Sequence, residues 1–165
     1  MHPPPMSFKQ TSLFSLLFAG ILIFFAGCDS KKFYDENAVI EKGNWNNKEI
    51  KKFEVNITDT VSAYTFFLNI RNDGDYPYSN LYLFLHTSFP DGKKAVDTVE
   101  CQLADYDGKW RGQGIGSLKF NRFEFQRGVH FRHAGKYTFE LEQAMRVADL
   151  KGIRDVGIRI EKEVK

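Results

Sequence analysis

Downstream of residue 50 the chain alternates. Phe53, Val55 and Ile57 take turns with Lys52, Glu54 and Asn56, a period of two that predicts a half-buried strand. Tyr137, Phe139 and Leu141 repeat the pattern strictly, flanked by Lys136, Thr138 and Glu140. Tyr64 to Arg71 reads as a strand with apolar residues on both faces over part of its length. Further strands are predicted over Leu81–Thr87, Val96–Leu103, Arg122–Gln126 and Asp155–Glu161. Trp110 to Phe120 holds Gly112, Gly114 and Gly116 and reads as a bent or bulged strand. Between the strands lie turn-forming clusters, Asn72–Pro77, Phe89–Lys93 and Asp105–Gly108. Gln143 to Leu150, with Ala144, Met145, Arg146 and Ala148, reads as a short helix or helical corner. Seven to eight short strands so punctuated predict a mainly β fold, a single antiparallel β-sandwich with one short helical segment. Tyr137, just inside its strand after Ala134-Gly135-Lys136, resembles the tyrosine corner of sandwich domains.

The first 27 residues follow another rule. Leu13 to Gly27 is almost wholly apolar, Lys9 precedes it, and Cys28 follows Ala26-Gly27 directly. A basic start, an apolar run and small residues before a cleavage point make a secretory signal. Phe24-Phe25-Ala26-Gly27-Cys28 also resembles a bacterial lipobox, in which the cysteine is acylated. The run is shorter than the ~20 apolar residues of a comfortable membrane span. The expected organisation is therefore a cleaved lipoprotein signal peptide over 1–27, a lipidated N-terminus and polar tether over 28–49, and a β-sandwich over 50–165. A covalent lipid on Cys28 is the expected modification; no cofactor and no metal is expected.

Lys9 is the only charged residue of the leader, which leaves 22 Lys and Arg against 21 Asp and Glu in the remainder. These charges are interleaved with no basic stripe, so nucleic acid is not an expected partner. With Cys28 acylated, Cys101 has no disulfide partner. Its place between Val99 and Leu103 points it inward as a buried thiol.

Other candidate chemistry is sparse. His130 and His133 stand three apart in a strand-and-loop context that points them to opposite faces, with no acidic or cysteine ligand close by. His86 sits in a strand and faces opposite to Leu85. Gly112-Gln113-Gly114-Ile115-Gly116 lacks the Lys-Ser/Thr ending of a phosphate loop, and Asp105 and Asp107 fit a tight turn better than a calcium loop. No catalytic residue is identified. The aromatic loop around Tyr76, Tyr78 and Asn80, together with Trp110, is the candidate contact surface. It admits two readings: a protein contact, or a glycan platform of exposed rings. The alternative to both is that Tyr76 and Tyr78 cap the core.

Several segments taken in order resemble the GldH family of gliding-motility lipoproteins of the Bacteroidota. They are Tyr76-Pro77-Tyr78-Ser79-Asn80-Leu81-Tyr82-Leu83, Pro90-Asp91-Gly92, Asp97-Thr98, Leu103 to Trp110, Gly112-Gln113-Gly114 and Gly152 to Glu161, preceded by the lipobox. The resemblance implies an envelope lipoprotein, anchored through acyl chains with the outer membrane preferred, whose partners are other envelope lipoproteins or gliding and secretion components. It carries no catalytic residue across. Asp59-Thr60-Val61 and Asp97-Thr98-Val99 fit the O-glycosylation pattern of that phylum, which makes Thr60 and Thr98 candidate modification sites.

Overall fold

The computed structural model describes residues 29–163. The leader and Cys28 lie outside them. Among the described residues ten strands form: β1 Lys32–Val39, β2 Asn44–Asn46, β3 Lys51–Ile57, β4 Tyr64–Asn72, β5 Asn80–Ser88, β6 Lys94–Gln102, β7 Lys119–Val129, β8 Gly135–Gln143, β9 Asp149–Lys151 and β10 Ile153–Lys162. Eight of them build two antiparallel four-stranded sheets, in the orders β1-β10-β4-β7 and β3-β8-β5-β6. The short β2 and β9 pair as a separate ribbon. This is the expected mainly β, antiparallel sandwich.

The inner faces carry the alternation read from the sequence. Phe53, Val55 and Ile57 of β3 and Tyr137, Phe139 and Leu141 of β8 are all buried. Leu68 and Ile70 face Val156, Ile158 and Ile160 across the β4–β10 pairing region of the other sheet. β10 is buried on its outer face too. There Arg159, 4% exposed, donates from Nη1 to Asp35 and from Nε to Glu161, each at 2.7 Å. Asp35 also accepts from Asn69 Nδ2 at 3.0 Å. A buried charge is tolerable only when hydrogen-bonded in this way. Tyr137 Oη donates to the His133 carbonyl four residues upstream at 3.0 Å, the bond that defines a tyrosine corner. Cys101 is fully buried, and burial pushes its thiol up to about 12.

Three sequence expectations are corrected. The stretch 29–49 is not a tether: β1 pairs with β10 from Lys32 to Val39, and Trp45 and Ile40 are core residues. The strand was hidden because it lies at a sheet edge, where only half its residues need be apolar. Its pairing shifts register between Lys32 and Tyr34, which breaks the alternation at Phe33. No helix forms over 143–150. The Gln143 side chain donates to the carbonyls of Val147 and Ala148 and accepts from the Met145 amide at 2.9 Å. These bonds stand in for backbone ones, and Leu150 is drawn into the core of β9, so tertiary contacts override local helix propensity. The helical turn among the described residues is a single 3-10 turn at Glu41–Gly43. Finally, 110–118 is a loop bridged at Gln113 and Phe120, not a bent strand; β7 starts only at Lys119. Gly116, with φ of 62°, sits in the left-handed region that this reversal requires.

The exposed carboxylates set the acid sensitivity. Hydrogen bonds hold Asp59 (from Lys162 first), Glu54 (from Lys52), Asp91 (from Lys93), Glu124 (from Arg127) and Glu163 (from Thr65) below their usual values. Groups lowered on folding contribute stability above their unfolded value, about pH 4, and lose it as pH falls through the folded value. Asp155 runs the other way, because burial outweighs the lowering by Arg71. The melting temperature is therefore expected to fall as pH drops from 5 to 2. Asp59→Asn should flatten that fall; an unchanged pH profile would remove Asp59 from the account.

Candidate functional site

The connections β4–β5, β6–β7 and β8–β9 gather at one end of the sandwich. Ser79 accepts from the amides of Leu103 and Ala104 at 2.7 and 2.9 Å, which ties the first two together. The third reaches β5 through the Ala144 amide, which donates to the Tyr82 carbonyl at 2.8 Å, and Gly152, between β9 and β10, accepts from the Asp73 amide of the first at 2.9 Å. A side-chain carbon at Gly152 would fall on the backbone of Tyr76, so only glycine, with φ of 86°, fits.

Tyr76 is a core residue at 3% exposure, and its Oη donates to the Asn80 carbonyl at 2.7 Å. Burial raises its phenol well above the ordinary value. Tyr78 stands over it edge-on, with ring centres 5.8 Å apart, and is 37% exposed. Trp110 is half-buried, tilted by 50° at 6.5 Å from Tyr76. Asn80 is turned along the sheet, donating to Glu100 at 2.7 Å. The four predicted contact residues are thus close together, but Tyr76 belongs to the core and Trp110 packs against it. The three rings lie at steep angles, so they do not make the coplanar platform that stacks on a sugar.

The exposed apolar surface at this end comes from residues the sequence reading did not select. Tyr106 is fully exposed at the tip of the Asp105–Gly108 turn, and Ile115 is 95% exposed in the 110–118 loop. Leu118 and Phe120 follow, each more than a third exposed. Arg122 lies 5.5 Å from the Phe120 ring centre. Large apolar and aromatic side chains held outward on short loops suit a protein contact. A signal was present in the sequence: Tyr106 and Ile115 sit in turn chemistry, where no strand period assigns them to the interior.

Other predicted positions are scattered. His130 and His133 are both exposed at the opposite end, and His133 Nε2 lies 3.9 Å from Asp91. His86 pairs with Glu142 at 2.9 Å on the outside of its sheet. Thr98 is exposed on β6, an outer strand. Thr60 lies in the β3–β4 connection, where Asp59 accepts from the Val61 and Ser62 amides at 2.9 and 3.0 Å. Both threonine hydroxyls remain candidate modification sites, and Cys28 lies outside the described residues.

Residues 32–160 match the profile of the GldH lipoprotein family. A gliding motility lipoprotein GldH homologue of Christiangramia forsetii is 39% identical, with 92% of this chain and 97% of that protein covered. The gliding motility lipoprotein GldH of Flavobacterium johnsoniae is 35% identical, with 90% and 94% covered. Among solved structures, dimeric latent PorU of Porphyromonas gingivalis aligns with 80% of this chain and 13% of its own, at 10% identity. Its TM-score of 0.33 is too low to bear on fold or function.

Proposed function

The chain belongs to the GldH lipoprotein family, and from that membership we propose that it is an acylated envelope protein, held at the outer membrane through Cys28, that supports assembly of gliding or secretion machinery by protein contacts. The observation that carries the contact role is the polarity of the sandwich. Lys31 enters β1 at one end, while Tyr106, Ile115 and Leu118 are presented at the other. An anchored domain so built holds its apolar loops away from the lipid. The proposed work is binding rather than turnover: at the presenting end the carboxylates of Asp73, Asp105 and Asp107 are engaged by Arg154, Arg111 and the Lys109 amide, and the most exposed large side chains are apolar.

The test is in-cell crosslinking followed by purification from detergent-solubilised membranes. The wild type is compared with a Tyr106→Ser, Ile115→Ser double variant. The expected result is that the wild type carries other envelope lipoproteins or gliding and secretion components and the variant does not. Both sites are exposed, so the stability change should stay within about 0.5 kcal/mol. Recovery of the wild type alone, or of the same partners with the variant, overturns the contact role.

A further inference from the structure

β6 and β7 are the outer strands of their sheets on the same flank of the sandwich, and the sheets part between them. The gap is a cavity of about 380 Å³. Close-packed interiors hold few voids larger than a water molecule, whereas small-ligand sites begin at about 300 Å³. The floor is made by the buried side chains of Phe66, Phe131, Leu85, Tyr137 and Phe139.

The cavity's chemistry restricts its occupant. No buried side-chain nitrogen or oxygen among the described residues lacks a partner. The lining also includes Thr87, Asp97, Gln126, His130 and His133, but against the aromatic and aliphatic floor the polar groups of a sugar or a peptide main chain would go unpaired, whereas a hydrocarbon has none to pair. Asp97 faces the gap from β6, and an inward charge on an outer strand discourages a further strand from pairing there.

Its location points to a source. The register places the start of β1, the end of β10 and the start of β4 side by side, through Lys32–Glu161 and Lys162–Tyr64. The end of β7 joins them through Tyr64–Val129. Ring contacts run from Phe33 to Tyr64 at 5.2 Å and from Tyr64 to Phe131 at 5.1 Å, which leads from the first strand to the cavity floor. Cys28 precedes Lys31 by three residues, on the order of 10 Å of extended chain. On the anchored reading, this end of the domain is the one next to the bilayer. The mouth carries Arg132, Lys93 and Asp91, of which Lys93 and Asp91 pair at 3.0 Å. Arg132 makes no ion pair among the described residues and offers its guanidinium to an anion. The anchor's own acyl chains hang from an uncharged, thioether-linked glycerol, so they would leave Arg132 unused.

We propose that this cavity takes one acyl chain of a phospholipid from the adjoining leaflet, with the lipid phosphate at Arg132. The proposal rests on the envelope-lipoprotein reading for its source of lipid, and its test is independent of the contact surface. The full-length protein is incorporated into phosphatidylethanolamine vesicles containing a phospholipid with a photoactivatable acyl chain, and the labelled peptides are mapped. Labelling is expected on the strands that bear Phe66, Phe131 and Phe139. Ala95→Trp, which fills the cavity from β6, should reduce it at least tenfold. Arg132→Glu, at an exposed site that leaves folding alone, should reduce labelling by the phospholipid but not by a diacylglycerol carrying the same chain. Labelling of these peptides that survives both substitutions, or that falls only on residues next to Cys28, overturns the proposal. So does labelling seen only in Cys28→Ser protein, which would assign the cavity to the protein's own acyl chains. Failure of the envelope reading would show separately, as an unmodified mass at Cys28.

Discussion

Cys28→Ala is expected to abolish acylation completely: the protein accumulates with residues 1–27 attached and takes up no fatty-acid label. On the proposed acylation the cysteine sulfur is the atom that receives the lipid, so no neighbouring residue substitutes for it. The loss is all or none for a second reason. Burial of acyl chains contributes about 0.8 kcal/mol per methylene, and one chain alone gives only marginal membrane binding, so stable anchoring needs the paired chains of a lipidated cysteine. The retained leader is itself apolar, so sedimentation with membranes does not discriminate. A second form does, in which residues 1–28 are replaced by an ordinary cleaved leader. That form is expected in the soluble periplasmic fraction, folded, because the core residues among those described lie after Lys31. Wild-type mass and label in Cys28→Ala would move the anchor elsewhere. Because β1 begins at Lys32, an anchor at Cys28 would hold the domain close to its membrane rather than at the end of a long tether. Inserting a flexible segment after Asp29 therefore tests whether that closeness matters.

How much of this could be read from sequence depends on where each residue sits in a sheet. Phe53, Val55 and Ile57 were legible because β3 has one wet face and one dry one, which writes the period of two directly into the chain. β1 was not legible, because Glu36, on the same side of the strand as Tyr34 and Ala38, is exposed and accepts from Tyr34, and because the register shift at Phe33 interrupts the alternation. Residues 143–150 misled because Ala and Met propensities are worth only tenths of a kcal/mol each, less than the bonds of a single buried Gln143. Tyr76 and Tyr78 differ by two positions in a loop rich in turn residues, and nothing local says which ring turns inward. The answer depends on Gly152, more than seventy residues away, which admits the Tyr76 backbone. The cavity was invisible for the same reason: β6 and β7 are joined by a loop and lie in different sheets, and only the assembled sandwich shows that they fail to close.

Trp45→Ala is expected to cost about 3–5 kcal/mol, the range for deleting a fully buried large aromatic side chain. Trp45 is 0% exposed, and its indole Nε1 donates to the Glu49 carbonyl at 2.7 Å. It stands on β2, opposite Leu150 of β9, and that ribbon is tied to the domain by a bond from the Gly152 amide to the Gly43 carbonyl at 2.8 Å. Domains of this size are stable by about 5–15 kcal/mol, so this one substitution removes a large share. Trp45→Phe keeps most of the apolar surface and forfeits the hydrogen bond, for which about 1–2 kcal/mol is expected. Denaturant midpoints should fall in the order wild type, Phe, Ala; equal small losses for both would mean that the ribbon carries little of the fold. The pair also separates stability from contact. Gly152 adjoins both the ribbon and Tyr76, so loosening Trp45 loosens the base on which the 73–79 loop stands. Partner recovery in Trp45→Ala should therefore fall with temperature as the protein melts. In the Tyr106→Ser, Ile115→Ser variant it should be lost at every temperature while the fold remains intact. A contact surface made by exposed loops on a rigid sandwich gives that divergence, and one that depends only on the fold being present does not.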